Sequence, residues 1–543
     1  MLKNLILTLC FMLSLGVCAL ESPEANLKSS AGFVDVKEVR SLMVQDQGRL
    51  KPFDTFTREA ILFIAGKYSL FSLNANELYL SIIVNSQPKK LEIVNIRNTA
   101  LREQLGFAKD KQRMSINQLD KTSLFAMAKP LIEKREKNKR TLEPAERDLL
   151  EVYSQYWFLK NIISGDHFFS AIDFSGLLNK SHRDTKSKVI FAANEYLKAL
   201  AQKNREQSFV ALKSLKEEVK AQPLPDLFKP HVARVPVEVL YNQSKIFLIS
   251  AILILLFGIS LYFEPIQKLF QKKLFRSFFF LPIVSLSVGF ALRVYITGFA
   301  PVTNMYGTML WVSLGILLFS LFMLFAYKNF NVVASLWVAS GLVILLTESM
   351  PLILSPNMDP VVAVLRSNLW LTIHVLTIVI SYAAFTITMV LGNIVLIRNI
   401  FNYENTKENI KEYAKYIYRM TQLGAFLLAV GIILGGVWAD YSWGRFWGWD
   451  PKETWALIAN LGYLIILHAK YAGWLTPFGL AASSAVAYLL VIMAWYGVNF
   501  ILASGLHSYG FSSGGTAFVM TFVLFQLVIV GISLAVRAQR AKA

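Results

Sequence analysis

The sequence predicts a mainly α, polytopic helical membrane protein of about nine transmembrane helices. An N-terminal extracytoplasmic domain, mostly helical α+β, precedes them. Three observations predict this. Apolar runs recur through the second half of the chain, each near the roughly 20 residues that cross a bilayer. The chain is 55% hydrophobic with a mean hydropathy of +0.45, high for a soluble protein. Basic residues collect in alternate loops between the apolar runs, the bias that orients membrane helices.

Residues 1–19 carry Lys3, an apolar core and small residues ending at Ala19, the pattern of a cleaved secretory signal. An uncleaved anchor is the alternative, and Val17 before Cys18 fits a lipid-attachment site poorly. Cys10 and Cys18 are the only cysteines, so removal of the leader leaves a chain with no thiol. Disulfides, thiolate metal sites and a cysteine nucleophile are then excluded.

Residues 20–244 are polar. Helix formers dominate from Lys109 onward, and LYLSIIV (78–84) and KKLEIVNI (89–96) read as short β runs. In Val44–Lys67, Gly48 and Pro52 punctuate a turn, and Asp54 or Thr55 can cap a helix starting near Phe56. That stretch reads either as a docking edge or as a turn that opens the domain. His167, His182 and His231 have no partners at metal-ligand spacing and read as surface or hydrogen-bonded histidines.

Residues 245–543 form the membrane half. Its predicted spans lie near 246–263, 277–297, 306–327, 331–350, 370–397, 420–438, 454–471, 478–502 and 516–536. With nine spans, three basic segments share one side, which should be cytoplasmic. They are the loop with Lys268, Lys272, Lys273 and Arg276, the loop with Arg398, Lys407, Lys411, Lys415 and Arg419, and the tail with Arg537, Arg540 and Lys542. The 20–244 domain, the segment 351–369, the tryptophan loop and the loop 503–515 then face outward, as for an inner (cell) membrane protein with a periplasmic domain. The net charge of +19 therefore reads as topology. No basic stripe with interleaved aromatics points to nucleic acid.

One outer loop, 438–455, holds five of the eleven tryptophans: Trp438, Trp443, Trp447, Trp449 and Trp455. With Gly436, Gly444, Gly448 and Arg445 they suggest a flat aromatic shelf for a large, flat ligand with a polar edge. Asp450, Pro451 and Glu453 fit a capping box that starts the next helix, so Asp450 reads as a cap or as a ligand contact. The membrane half has three histidines. His374 and His507 fall at the outer surface beside the shelf, and His468 lies deeper on the helix leaving it. Each reads alone as a helix–helix hydrogen-bonding residue. Together, two neutral imidazoles can fill both axial positions of a haem iron, the shelf matches the porphyrin face, and Arg445 can pair with a propionate.

The run WGRFWGWDPKETWAL resembles the tryptophan-rich (WWD) signature of the haem-handling protein superfamily. SNLWLTIHV and GLHSYG narrow the resemblance to the CcsA/ResC-type cytochrome c biogenesis proteins, and Gly289–Trp311 is similar to the same family. The resemblance covers most of the membrane half; the 20–244 domain is similar to extracytoplasmic parts of longer members on weaker motifs. It implies a cytochrome c synthase subunit. Such a protein moves haem b, as substrate, across the membrane and attaches it by thioether bonds to C-x-x-C-H motifs of apocytochrome c.

By the resemblance, His374 and His507 are the outer axial ligands and catalytic pair. Trp443, Arg445, Trp447, Trp449, Asp450 and Trp455 line the haem, and His468 serves an inner site. Fused members carry a second membrane histidine in a CcsB/ResB-type portion. Here no candidate precedes residue 245, so a separate CcsB/ResB-type subunit is the expected partner, with a thiol-reducing partner for the substrate. Two other readings share these motifs: a haem transporter or chaperone without attachment activity, and a structural subunit that uses the tryptophan loop for docking.

Overall fold

The computed structural model describes residues 23–138, 143–177, 183–270, 272–360, 368–401, 403–502 and 515–542. The leader, His182 and His507 lie outside the described residues. The chain is mainly α, with two compact units, Met1–Val239 and Leu240–Ala543.

The first unit packs helices around one core and carries three two-stranded antiparallel ribbons among its described residues. The strands Met43–Asp46 and Arg49–Pro52 form a hairpin whose turn residues, Gln47 and Gly48, both have positive φ, as tight hairpin turns require. The following helix starts at Phe53, with Pro52 at its cap, so Asp54 and Thr55 lie inside its first turn instead of capping it. The polar side chains of this stretch bond within the unit. Arg49 makes two hydrogen bonds of 2.8 Å to Glu238, which also accepts from Thr55 at 2.7 Å. Lys51, 1% exposed, pairs with Asp46 at 2.6 Å and with Glu59. Asp54 pairs with Arg40 and accepts from Asn76. This geometry favours the turn that opens the domain.

LYLSIIV is not a strand. It belongs to the helix Ala75–Val84, started by a reciprocal capping box between Asn74 and Glu77. The run is apolar on every side because most of its residues are buried, which leaves no periodicity to separate strand from helix. Val94–Asn95, inside KKLEIVNI, is a strand. His167 is hydrogen-bonded, its Nδ1 lying 2.8 Å from the Tyr79 hydroxyl and its ring stacked on Phe56. Burial pushes this imidazole down to about 4, opposed by Asp46 and reinforced by Lys51.

Among the described residues, eight helices from Val235 onward are long and apolar enough to cross a membrane, so the protein is a multi-pass membrane protein. They correspond to eight of the nine predicted spans. The remaining one, 454–471, is the 21-residue helix Pro451–Tyr471. Asn460, His468 and Lys470 interrupt its apolar run, and it falls outside the set of eight. It nevertheless packs on the Tyr403–Trp443 and Pro477–Ile492 helices.

Candidate site at the histidine and tryptophan helices

His374 lies on the helix Asn368–Phe401, hereafter the histidine helix. Its partner, Tyr403–Trp443, is 41 residues long, roughly 60 Å at about 1.5 Å per residue, and outruns a bilayer core of about 30 Å. The sequence predicted an end at 438. The helix continues because its stop is Gly444, at φ +68°, whose N–H donates to the Asp440 carbonyl at 2.8 Å. Trp438 and Trp443 are therefore helical, Trp455 lies in the first turns of the next helix, and only 444–450 is non-helical.

Glycines let these two helices approach closely. A Cβ at Gly424 would meet Phe385 at 2.6 Å, one at Gly431 would meet Ile378 at 2.7 Å, and one at Gly435 would meet His374 Cε1 at 2.5 Å. Each advance along one helix is matched by an equal retreat along the other, so this is one antiparallel seam of small residues. His374 sits at its end, in the notch of Gly435.

Its Nδ1 lies 2.8 Å from the Gly431 carbonyl. A carbonyl only accepts, so Nδ1 carries the proton and the lone pair of the neutral ring belongs to Nε2. This outer contact is the usual way a protein orients a metal-binding imidazole. The ring lies nearly parallel to Trp438, at 15° and 6.2 Å, and Trp438 is 1% exposed. Trp443 meets Trp438 at 4.8 Å and 63°, and Trp370 and Val375 complete the cluster.

The connection 444–450 is held from within. Glu453 and Asp450 form the predicted capping box. Glu453 Oε2 accepts from the Gly448 N–H at 2.8 Å and the Asp450 N–H at 3.2 Å, clamping the backbone on both sides of Trp449. Trp449 is left with φ +55° and 71% exposed. A bulky residue there is strained. Trp447 meets Trp449 edge to face at 5.8 Å and 88°. Four of the five indoles thus form two angled pairs, not one flat shelf, because edge-to-face contact suits their quadrupoles. Arg445 donates to Glu453 at 3.2 Å and lies 5.6 Å from the Trp443 ring. It crosses Gly448, where a Cβ would meet its Nη1 at 1.7 Å. Asp450 is buried, and its carboxylate accepts from the Lys452 N–H at 2.9 Å.

His468 is exposed, on a face it shares with Leu461 and Ile465. Its Nδ1 donates to the Leu464 carbonyl at 2.7 Å, which again assigns the neutral ring's lone pair to Nε2. His507 lies outside the described residues, but the backbone flanking its loop does not. Tyr496 and Thr516 are hydrogen-bonded at 3.1 Å, and a Cβ at Gly515 would meet Ile353 at 2.9 Å. The base of that loop therefore lies beside residues 350–360, the segment that precedes the histidine helix in sequence.

The sequence alone assigns no role to Gly431 or Gly435. Their spacing of four was visible in GIILGG, but not which side chain would occupy the notch.

Fold and site together define a multi-pass helical membrane protein whose imidazole and indole groups gather where two closely packed helices end. Residues 302–507 match the family model described as cytochrome C assembly protein. Protein NrfI of Wolinella succinogenes is 29% identical over 511 residues, which cover 86% of this chain and 54% of that protein. The cytochrome c biogenesis protein CcsA of Chlamydomonas reinhardtii is 40% identical over 161 residues, covering 28% of this chain and 44% of that protein. CcsA of Prochlorococcus marinus is 33% identical over 307 residues, covering 49% of this chain and 96% of that protein. The chain belongs to the CcsA family of cytochrome c biogenesis proteins. It spans about half the length of the first two of these relatives.

Proposed function

We propose that this chain is the haem-presenting subunit of a cytochrome c synthase in the cell (inner) membrane, its tryptophan connection facing the extracytoplasmic side. Haem b is its substrate, brought across the membrane and held at the outer face between His374 and His507. The observation that carries this reading is the seat of His374. A glycine notch, a tautomer set by the Gly431 carbonyl and a nearly parallel Trp438 together orient one imidazole beside an aromatic surface.

The work asked of the chain is positioning. Each thiol of a substrate C-x-x-C-H motif adds across one vinyl group: a C–S bond forms, the thiol hydrogen ends on the neighbouring carbon, and no electrons are gained or lost overall. The histidine of that motif displaces one axial imidazole and brings both sulfurs to the vinyl edge. Exposed Trp449 offers a face to the porphyrin, and Arg445, still partly open, offers its guanidinium to a propionate. His468, on an exposed apolar face, is the ligand this chain gives to an inner site, and a CcsB/ResB-type subunit supplies the opposing one.

His374→Ala and His507→Ala should each lower haem in the purified protein and abolish maturation of a co-expressed apocytochrome c, with added imidazole partly restoring both. Normal maturation in both variants would remove the assignment. Haem bound to this chain while the substrate gains no covalent haem would leave a carrier without attachment activity.

A further inference from the structure

A buried polar cluster in the membrane half has no part in the chemistry above. Arg293 is 4% exposed. A cation in such surroundings is costly unless paired, and is a functional candidate by default. Its Nη1 donates to the Tyr241 hydroxyl and to the Pro356 carbonyl, both at 3.0 Å, and its guanidinium lies 5.1 Å from the Tyr306 ring. The Tyr306 hydroxyl donates to Glu348. Beside this cluster, the Asn304 amide donates to the Ser355 carbonyl at 3.0 Å and the Asn357 carbonyl at 3.1 Å. Its oxygen meanwhile accepts from the Gly307 N–H at 2.9 Å, capping the Met305–Tyr327 helix.

Two side chains thus hold three successive carbonyls of one non-helical strap, residues 350–360. Backbone carbonyls without a helix or sheet need such donors when water is scarce. The strap precedes the histidine helix in sequence and borders the base of the His507 loop. A Cβ on Gly515, at that base, would fall 2.9 Å from Ile353 of the strap, and the Tyr496–Thr516 hydrogen bond lies beside it.

The geometry points to Arg293 and Asn304 as positioning residues: by pinning the strap, they hold the base of the His507 loop against the segment that precedes the histidine helix, and haem binding depends on that hold. This rests on the two-histidine reading of the site. Asn304→Asp is the informative variant, because a carboxylate still caps Gly307 but cannot donate to Ser355 or Asn357. Arg293→Gln is its counterpart, and Arg293→Lys is the conservative control.

The full chain is purified from membranes for each variant. Haem content, the visible spectrum with and without imidazole, and the thermal midpoint are compared. Asn304→Asp and Arg293→Gln should melt like the wild type and lose low-spin haem and maturation by at least about tenfold, the scale on which ångström misplacement registers. Imidazole should restore the spectrum, and Arg293→Lys should retain more haem than Arg293→Gln. Haem and maturation equal to wild type in both test variants would overturn the inference. So would a lowered midpoint with haem loss that imidazole does not reverse, since the role would then be folding alone. A wild-type chain without a bis-imidazole haem spectrum would instead overturn the reading on which the inference stands.

Discussion

His374 is defined as much by the glycine opposite it as by its own ring. The Cβ of Gly435→Ala would fall 2.5 Å from the imidazole, so ring or helix must move. Overpacking of this kind costs about 1–3 kcal/mol. We expect Gly435→Ala to lower the thermal midpoint and haem content together. Gly531→Ala is the contrast: nothing lies within 4 Å of that position, and the added helix propensity should stabilise by up to about 1 kcal/mol. Equal melting of the two variants would contradict the notch. The His374 motif was legible in the sequence, but its seat was not, because a notch belongs to two helices and one strand of text shows only one at a time.

His167 gives the first unit a pH signature. Its folded pKa of about 4 lies below the ordinary value of 6.5 for an unfolded histidine. The unfolded chain therefore binds the extra proton between those values. Stability is full above about 6.5, falls as pH drops through the window and levels off below about 4, a loss of at most about 3 kcal/mol. Protection factors of the Ala75–Val84 amides in the full chain, corrected for the intrinsic pH dependence of exchange, should fall accordingly, and His167→Gln should flatten that part of the profile.

At the scale of elements, the connection 444–450 is organised by Glu453. The capping box was readable from Asp450-Pro451-Lys452-Glu453, and the structure has it. What could not be read was that the same carboxylate also fixes the Gly448 N–H and so holds Trp449 at φ +55°. Holding a tryptophan in that region costs of order 1–3 kcal/mol, and strain of this kind gathers at functional positions. Trp449→Gly relieves the strain while removing the ring. It should leave the thermal midpoint unchanged or higher and reduce haem retention; a lower midpoint with unchanged haem would make the ring a structural prop. One boundary and one element type differ from the sequence expectation, each for a physical reason. The Tyr403–Trp443 helix runs past 438 because its terminating signal is Gly444, six residues further on. The 78–84 run looked like a strand because burial on all sides erases helical period, while the deciding Asn74–Glu77 box stood just ahead of it.

At the scale of the molecule, the number of crossings decides whether His374 and His507 can share a ligand. Nine apolar runs read as spans in the sequence, and eight of them are helices long and apolar enough to cross. Pro451–Tyr471 falls outside those eight, since Asn460, His468 and Lys470 dilute its apolar run. If it failed to cross, His507 and His374 would face opposite compartments. The contact of Gly515 with Ile353 argues otherwise, for it puts the base of the His507 loop beside the strap that precedes the histidine helix. Membrane-impermeant labelling of single introduced cysteines, with Cys10 and Cys18 replaced, should therefore report residues 360 and 510 from the outside and residues 272 and 540 only after permeabilisation. Labelling of 360 and 510 from opposite sides would break the shared-face account.

The most direct test of the central claim is the near-infrared magnetic circular dichroism of the oxidised, haem-loaded chain, which reports the pair of axial ligands. The account predicts a bis-imidazole band in the wild type, its loss in His374→Ala and in His507→Ala, and its return when imidazole is added to either. A bis-imidazole band that survives unchanged in both variants would contradict it.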